Sequence, residues 1–191
     1  VFSSPISEWL IQWPKDSTIF FNTKPSANIT GYLYSVNTDK PDFNKVLGDI
    51  NGLKTSISPD LKKLIYSESA DGWVVTNYYD LITKTSSLFP LKTLPEKCVC
   101  GGVAKEILYC AVPATPNKGE YPDIWYQGIE SFNDELWSIN TTTGQTEIVA
   151  DKETFSENGG VDATKLQLSP KEDYLSFINK KDLTLWLIKI K

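Results

Sequence analysis

Residues 55–69 read TSISPDLKKLIYSES, and residues 166–180 read LQLSPKEDYLSFINK. Each places a short apolar strand before Ser-Pro, a charged turn after it and a second strand beyond. Proline pre-sets the backbone for the second position of a turn. A Ser or Asp beside it accepts nearby backbone N–H groups and tightens the hairpin. Aligning Pro14, Pro59 and Pro170 shows the order again: a turn, then a strand ending in Phe21, Tyr66 or Phe177. Tyr109 fills that place after a turn at 101–105. Phe21 and Tyr66 are 45 residues apart, Tyr66 and Tyr109 are 43 apart, and Tyr109 and Phe177 are 68 apart. A period of about 44 residues therefore holds, with an insertion of about 24 in the third unit.

Working outward, a third strand recurs as YLYSVN (32–37), TNYYD (76–80), ELWSIN (135–140) and TLWLIK (184–189). A polar turn and a fourth strand follow in three units, as NKVLGD, SSLFPL and TEIVAD. Helical periodicity with caps is nowhere sustained over more than about ten residues. Each unit reads as a four-stranded antiparallel meander with two apolar faces, which it cannot bury alone. Stacking such sheets around an axis solves this, and the solution is a β-propeller. The expected fold is all-β: a β-propeller of four recognisable four-stranded antiparallel blades at about 6–49, 52–92, 94–151 and 161–191. The last blade is incomplete, which points to part of a larger propeller. VFSSPI at the N-terminus can supply the missing outer strand if the chain closes on itself.

The repeat resembles a known family. SISPDLKKLIYSE and QLSPKEDYLSFINK are similar to the S-P-D-G-K-x-I-A-F signature of TolB-type, WD40-like (PD40) propeller repeats. ELWSINTTTGQTEIVAD is similar to the L-W-x-x-D-x-x-T-G stretch that follows it. The signature Gly is replaced by Leu61 in the second unit and by Glu172 in the fourth, and the third unit has CGGVAKE where Ser-Pro-Asp is expected. The stretches TLPEKC (93–98) and YPDIWYQG (121–128) also resemble bacterial envelope proteins of unassigned activity. The resemblance implies a propeller in an extracytoplasmic, envelope-associated setting, and it implies no chemistry.

Composition narrows the function. The chain has 191 residues, 40% apolar and 12% aromatic, with a net charge of −5. An acidic chain without a basic run is a poor match for nucleic acid or an anionic membrane. No run of 18 apolar residues exists, so no membrane insertion is expected within this segment. No Met occurs, so Val1 is expected to follow a removed leader or to begin a piece of a longer chain. No His occurs either, which excludes Ser-His-Asp triads, Cys-His dyads and His-ligated metals within this chain. Ser58 and Ser169 thus read as turn residues. No cofactor is implied. DKPDFNKVLGD (39–49) carries oxygen ligands without EF-hand spacing and reads as a solvated turn.

Three cysteines fall in one hairpin-like stretch. Cys98 and Cys110 can face each other across an antiparallel pair and form a disulfide; Cys100 with Cys110 is the other candidate, and three buried thiols are the third reading. The inserted stretch ATPNKGEYPDIWYQGIESFND (114–134) breaks the repeat. Its Tyr121, Trp125, Tyr126 and Phe132, with Asp123, can form a surface that binds a partner. Alternatively these aromatics fold down and plug a gap. The expected function is a non-catalytic scaffold for protein partners, with self-association through exposed blade faces a further option. The competing class is an enzyme: the substrate-gating propeller of a peptidase, or a carboxylate-dependent glycan-active protein using Asp123 with Glu120 or Glu130.

Overall fold

The Ser-Pro hairpins form as turns that consume their own hydroxyls. In the computed structural model, which describes residues 6–15, 17–40, 42–102 and 106–191, Ser58 Oγ accepts the Lys63 N–H at 3.1 Å and lies 2.7 Å from both Asp60 Oδ1 and the Lys63 carbonyl. Ser169 Oγ accepts the N–H groups of Asp173 and Tyr174, each at 3.1 Å. Leu61 and Glu172 occupy the signature-glycine positions, and both have left-handed backbone, with φ of 58° and 57°. That conformation favours glycine. A second local device ends the third strands. The side-chain oxygens of Asn37, Asp80 and Asn140 each accept the N–H groups two and three residues ahead.

The chain is all-β and has the propeller fold, with four small antiparallel sheets among the described residues. Two compact units divide it. The first unit holds two four-stranded meanders and the segment Lys118–Gln127. One meander is β1 (Leu10–Lys15), β2 (Thr18–Asn22), β3 (Thr30–Asn37) and β4 (Phe43–Asn51). The other is β5 (Lys54–Ile57), β6 (Lys63–Ala70), β7 (Trp73–Asp80) and β8 (Thr85–Leu88). Phe20, Leu33, Leu53, Ile57, Leu64, Tyr66 and Tyr79 bury one face of each into a common core. Gln12 of β1 ties to β5, donating to the Thr55 carbonyl at 3.0 Å and accepting the Ile57 N–H at 3.2 Å.

The second unit holds β9 (Cys98–Cys100), β10 (Ile107–Pro113), β11 (Asp134–Asn140) and β12 (Thr146–Ala150) in one sheet. A three-stranded sheet follows, of β13 (Ala163–Leu168), β14 (Tyr174–Asn179) and β15 (Leu185–Lys189). Short 3-10 turns at Pro95–Lys97 and Lys152–Asn158 lead into β9 and toward β13. The core joins Leu136, Phe155, Val161, Leu166, Leu175 and Phe177, and Trp186 stacks on Phe177 with ring centroids 6.0 Å apart. Glu172 is buried here, and its Oε1 accepts the Gly102 N–H at 2.6 Å. The expected closing strand VFSSPI falls on residues 1–5, outside the described residues, apart from Ile6.

Candidate functional site

The inserted segment is divided between the two units. In the first, Tyr121 and Trp125 are buried, and Tyr126 beside them is 39% exposed. One helical turn, Asp123–Tyr126, sets this order by turning Trp125 inward and Tyr126 outward. Three contacts pin the segment to its unit. Asp123 Oδ2 accepts the Ala27 N–H at 2.6 Å, and the Gly119 N–H donates to the Gly72 carbonyl at 2.9 Å. Gly52, with φ of 70°, lies so close that a Cβ there would meet the Tyr121 carbonyl oxygen at 3.3 Å and Ser69 Cβ at 2.8 Å. In the second unit Phe132 is buried. Glu130 accepts from Asn117 Nδ2 at 3.1 Å. Of the five residues singled out in the sequence, Tyr121, Trp125 and Phe132 are thus buried, since large aromatics gain most by leaving water. Asp123 and Glu130 are each engaged by a hydrogen bond.

Register decides the cysteine pairing. Cys110 stands directly opposite Cys98 in the β9–β10 ladder, whereas Cys100 faces Leu108. Cys98 and Cys110 form a disulfide with Cα atoms 4.1 Å apart.

The second unit also assembles a site that sequence reading missed. Lys97, Asp134 and Asp162 have no solvent exposure at their side chains. Lys97 Nζ sits 2.7 Å from Asp134 Oδ2 and 2.6 Å from Asp162 Oδ1, and it donates to the Ala163 carbonyl at 3.0 Å. Its ammonium also lies over the Phe132 ring, 5.2 Å from the centroid. Asp162 Oδ2 accepts the Phe132 N–H at 3.1 Å and the Ser131 hydroxyl at 3.3 Å. Asp134 Oδ2 accepts the Ala163 N–H at 2.7 Å. Asp134 Oδ1 is buried without a hydrogen-bond partner among the described residues.

Burial, reinforced by the neighbouring Asp162 charge, pushes the Asp134 carboxyl up to about 6, although Lys97 and the Ala163 N–H pull the other way. Loss of water around a carboxylate outweighs one close cation here. The site therefore pairs one ammonium with two carboxyl groups, one of them readily protonated. Its members come from positions 97, 134 and 162, each adjoining a strand end. No spacing motif marks them, and the only sequence signal is an Asp at the start of β11 and another just before β13.

No protein-family profile matches the chain, and no curated protein is similar to it. Solved structures are similar in fold. A candidate TolB from Agrobacterium tumefaciens is 15% identical with a TM-score of 0.66, over 99% of this chain and 60% of that one. TolB from Acinetobacter baumannii is 10% identical with a TM-score of 0.59, over 93% of this chain and 42% of that one. An oligogalacturonate lyase in complex with manganese is 14% identical with a TM-score of 0.57, over 93% of this chain and 46% of that one. The chain thus spans between about two fifths and three fifths of the length of these structures. At such identities the likeness establishes the β-propeller fold alone, and a fold does not fix a function.

Proposed function

We propose that this chain, a β-propeller domain or a part of one, acts as a non-catalytic scaffold for protein partners outside the cytoplasm. One observation carries the interaction reading. In the three four-stranded sheets the third strand from the N-terminal end of the meander is covered by a fourth. In the last sheet β15 is an edge among the described residues, and Leu185 and Leu187 are 72% and 65% exposed on alternate positions, with Leu183 77% exposed just before them. Trp186 and Ile188, on the alternate positions, face the core of the unit. An exposed apolar edge strand is a template for an added strand, whose main chain supplies affinity and whose alternate side chains supply selectivity. The partner is accordingly a protein that offers an extended apolar segment.

The Cys98–Cys110 disulfide supports the compartment, because such bonds persist in oxidising environments. Among the described residues no helix is long and apolar enough to cross a membrane. Asp123 and Glu130, the residues that an enzyme reading would use, are held by Ala27 and Asn117.

Replacing Leu185 and Leu187 together by Lys tests the proposal. The variant is expected to keep its thermal midpoint, to lose a partner that the wild type retains in pull-down, and to show no protection of the β15 amides from hydrogen exchange when that partner is added. A cooperative loss of stability in the variant would show instead that the chain itself covers β15, and the reading would fall.

A further inference from the structure

We propose that Lys97 and Asp162 become joined by an intramolecular isopeptide bond, with Asp134 as the acid that carries protons between them. The geometry holds every component such a reaction needs. The nucleophile is the Lys97 amine, 2.6 Å from Asp162 Oδ1 in a site closed to solvent. Contacts with two carboxyl groups and a carbonyl hold that nitrogen in one orientation toward the acceptor. The acceptor carboxyl is polarised from its other side, since the Phe132 N–H and the Ser131 hydroxyl both point at Asp162 Oδ2. These donors stand where negative charge gathers when the carbonyl carbon becomes tetrahedral. The shuttle is Asp134, whose Oδ2 lies 2.7 Å from the same nitrogen.

Burial holds the Asp134 carboxyl high enough, at about 6, to carry a proton in mildly acidic conditions. Two carboxyl groups with different environments around one amine divide the roles of acceptor and acid.

The step balances without an oxidant. The Lys97 ammonium first gives one proton to Asp162 Oδ1, leaving a neutral amine and a carboxylic acid. Nζ then attacks the Asp162 side-chain carbon, forming the C–N bond and placing charge on Oδ2. Asp134 donates its proton to the departing Oδ1 as that C–O bond breaks, and it takes a proton back from Nζ. The products are a secondary amide, one water molecule and Asp134 as it began. Complete burial of all three side chains disfavours the reverse hydrolysis by keeping bulk water out. The link would close a loop between residues 65 apart in sequence and restrict the unfolded chain as a long-range disulfide does, without being sensitive to reductant.

Mass spectrometry of the purified, fully reduced chain tests this. The expected result is an intact mass lower than that of the sequence by one water. A proteolytic fragment should join the peptide holding Lys97 to the peptide holding Asp162, with no cleavage after Lys97. The Lys97→Arg variant is expected to have the full sequence mass. Asp134→Asn should lower the linked fraction about tenfold or more after equal incubation near pH 6. An unmodified wild-type mass would overturn the proposal whether or not any variant folds. A water loss mapped within a single peptide, as an internal succinimide, would overturn it too, and complete linkage in Asp134→Asn would overturn the role of Asp134.

Discussion

Lys97 contacts Asp134, Asp162, the Ala163 carbonyl and the Phe132 ring. A charge so placed is held only because every neighbour is already in position. Removing one partner from a buried pair commonly costs about 3–5 kcal/mol, while the intact pair adds little over a well-packed apolar group. Asp134 also carries a pH signature. Its folded pKa of about 6 lies above that of an unfolded aspartate, so the folded state binds the extra proton. Its contribution to stability is therefore complete below about pH 4 and is lost as the pH rises through about 6. Thermal midpoints of wild type and Asp134→Asn, measured across that interval, should show a gap in favour of wild type that widens on acidification. A gap independent of pH would contradict the assignment. Nothing near Asp134 in sequence announces this behaviour, because its cause is the loss of water around it.

At the scale of elements, hairpin chemistry is local and repeats. Ser58 and Ser169 close equivalent turns with their hydroxyls, and replacing either by Ala is expected to cost about 1–2 kcal/mol in chemical denaturation. A loss confined to one of the two would break their equivalence. Leu61 and Glu172 accept left-handed backbone where the repeat signature has Gly. Leu61 packs against the first core and Glu172 receives the Gly102 N–H, so each side chain offsets the strain with a contact that Gly cannot make. The β9–β10 pair shows what register adds. The sequence left Cys98 and Cys100 as alternatives, and the ladder places only Cys98 opposite Cys110. A disulfide enclosing 12 residues of separation should contribute about 2–3 kcal/mol. Replacing both cysteines by Ser should lower stability by that amount in reductant-free buffer, and reduction of the wild type should match it.

Across the whole molecule, acid should act on opposing groups. Backbone and hydroxyl donors hold Asp80, Asp151 and Asp182 below the usual carboxylate range, each being fixed in a turn by the N–H groups just ahead. Their stabilisation is present above the unfolded pKa and disappears as pH falls through their lower folded values. Asp134 works in the other direction at higher pH, so circular dichroism should show the wild type losing stability to acid only below the unfolded aspartate pKa. The sequence by itself determined the all-β class, the blade order and the Ser-Pro turns. Those features rest on strand alternation, turn residues and contacts between residues only a few positions apart. Tertiary structure alone decided that Tyr121, Trp125 and Phe132 are buried while Tyr126 is not, and that Lys97 meets Asp134 and Asp162. It also decided that Leu185 and Leu187 of β15 are exposed while Trp186 packs on Phe177. These features depend on segments far apart in the chain arriving together, and on which atoms lose water when they do. Neither is written into any short stretch of residues.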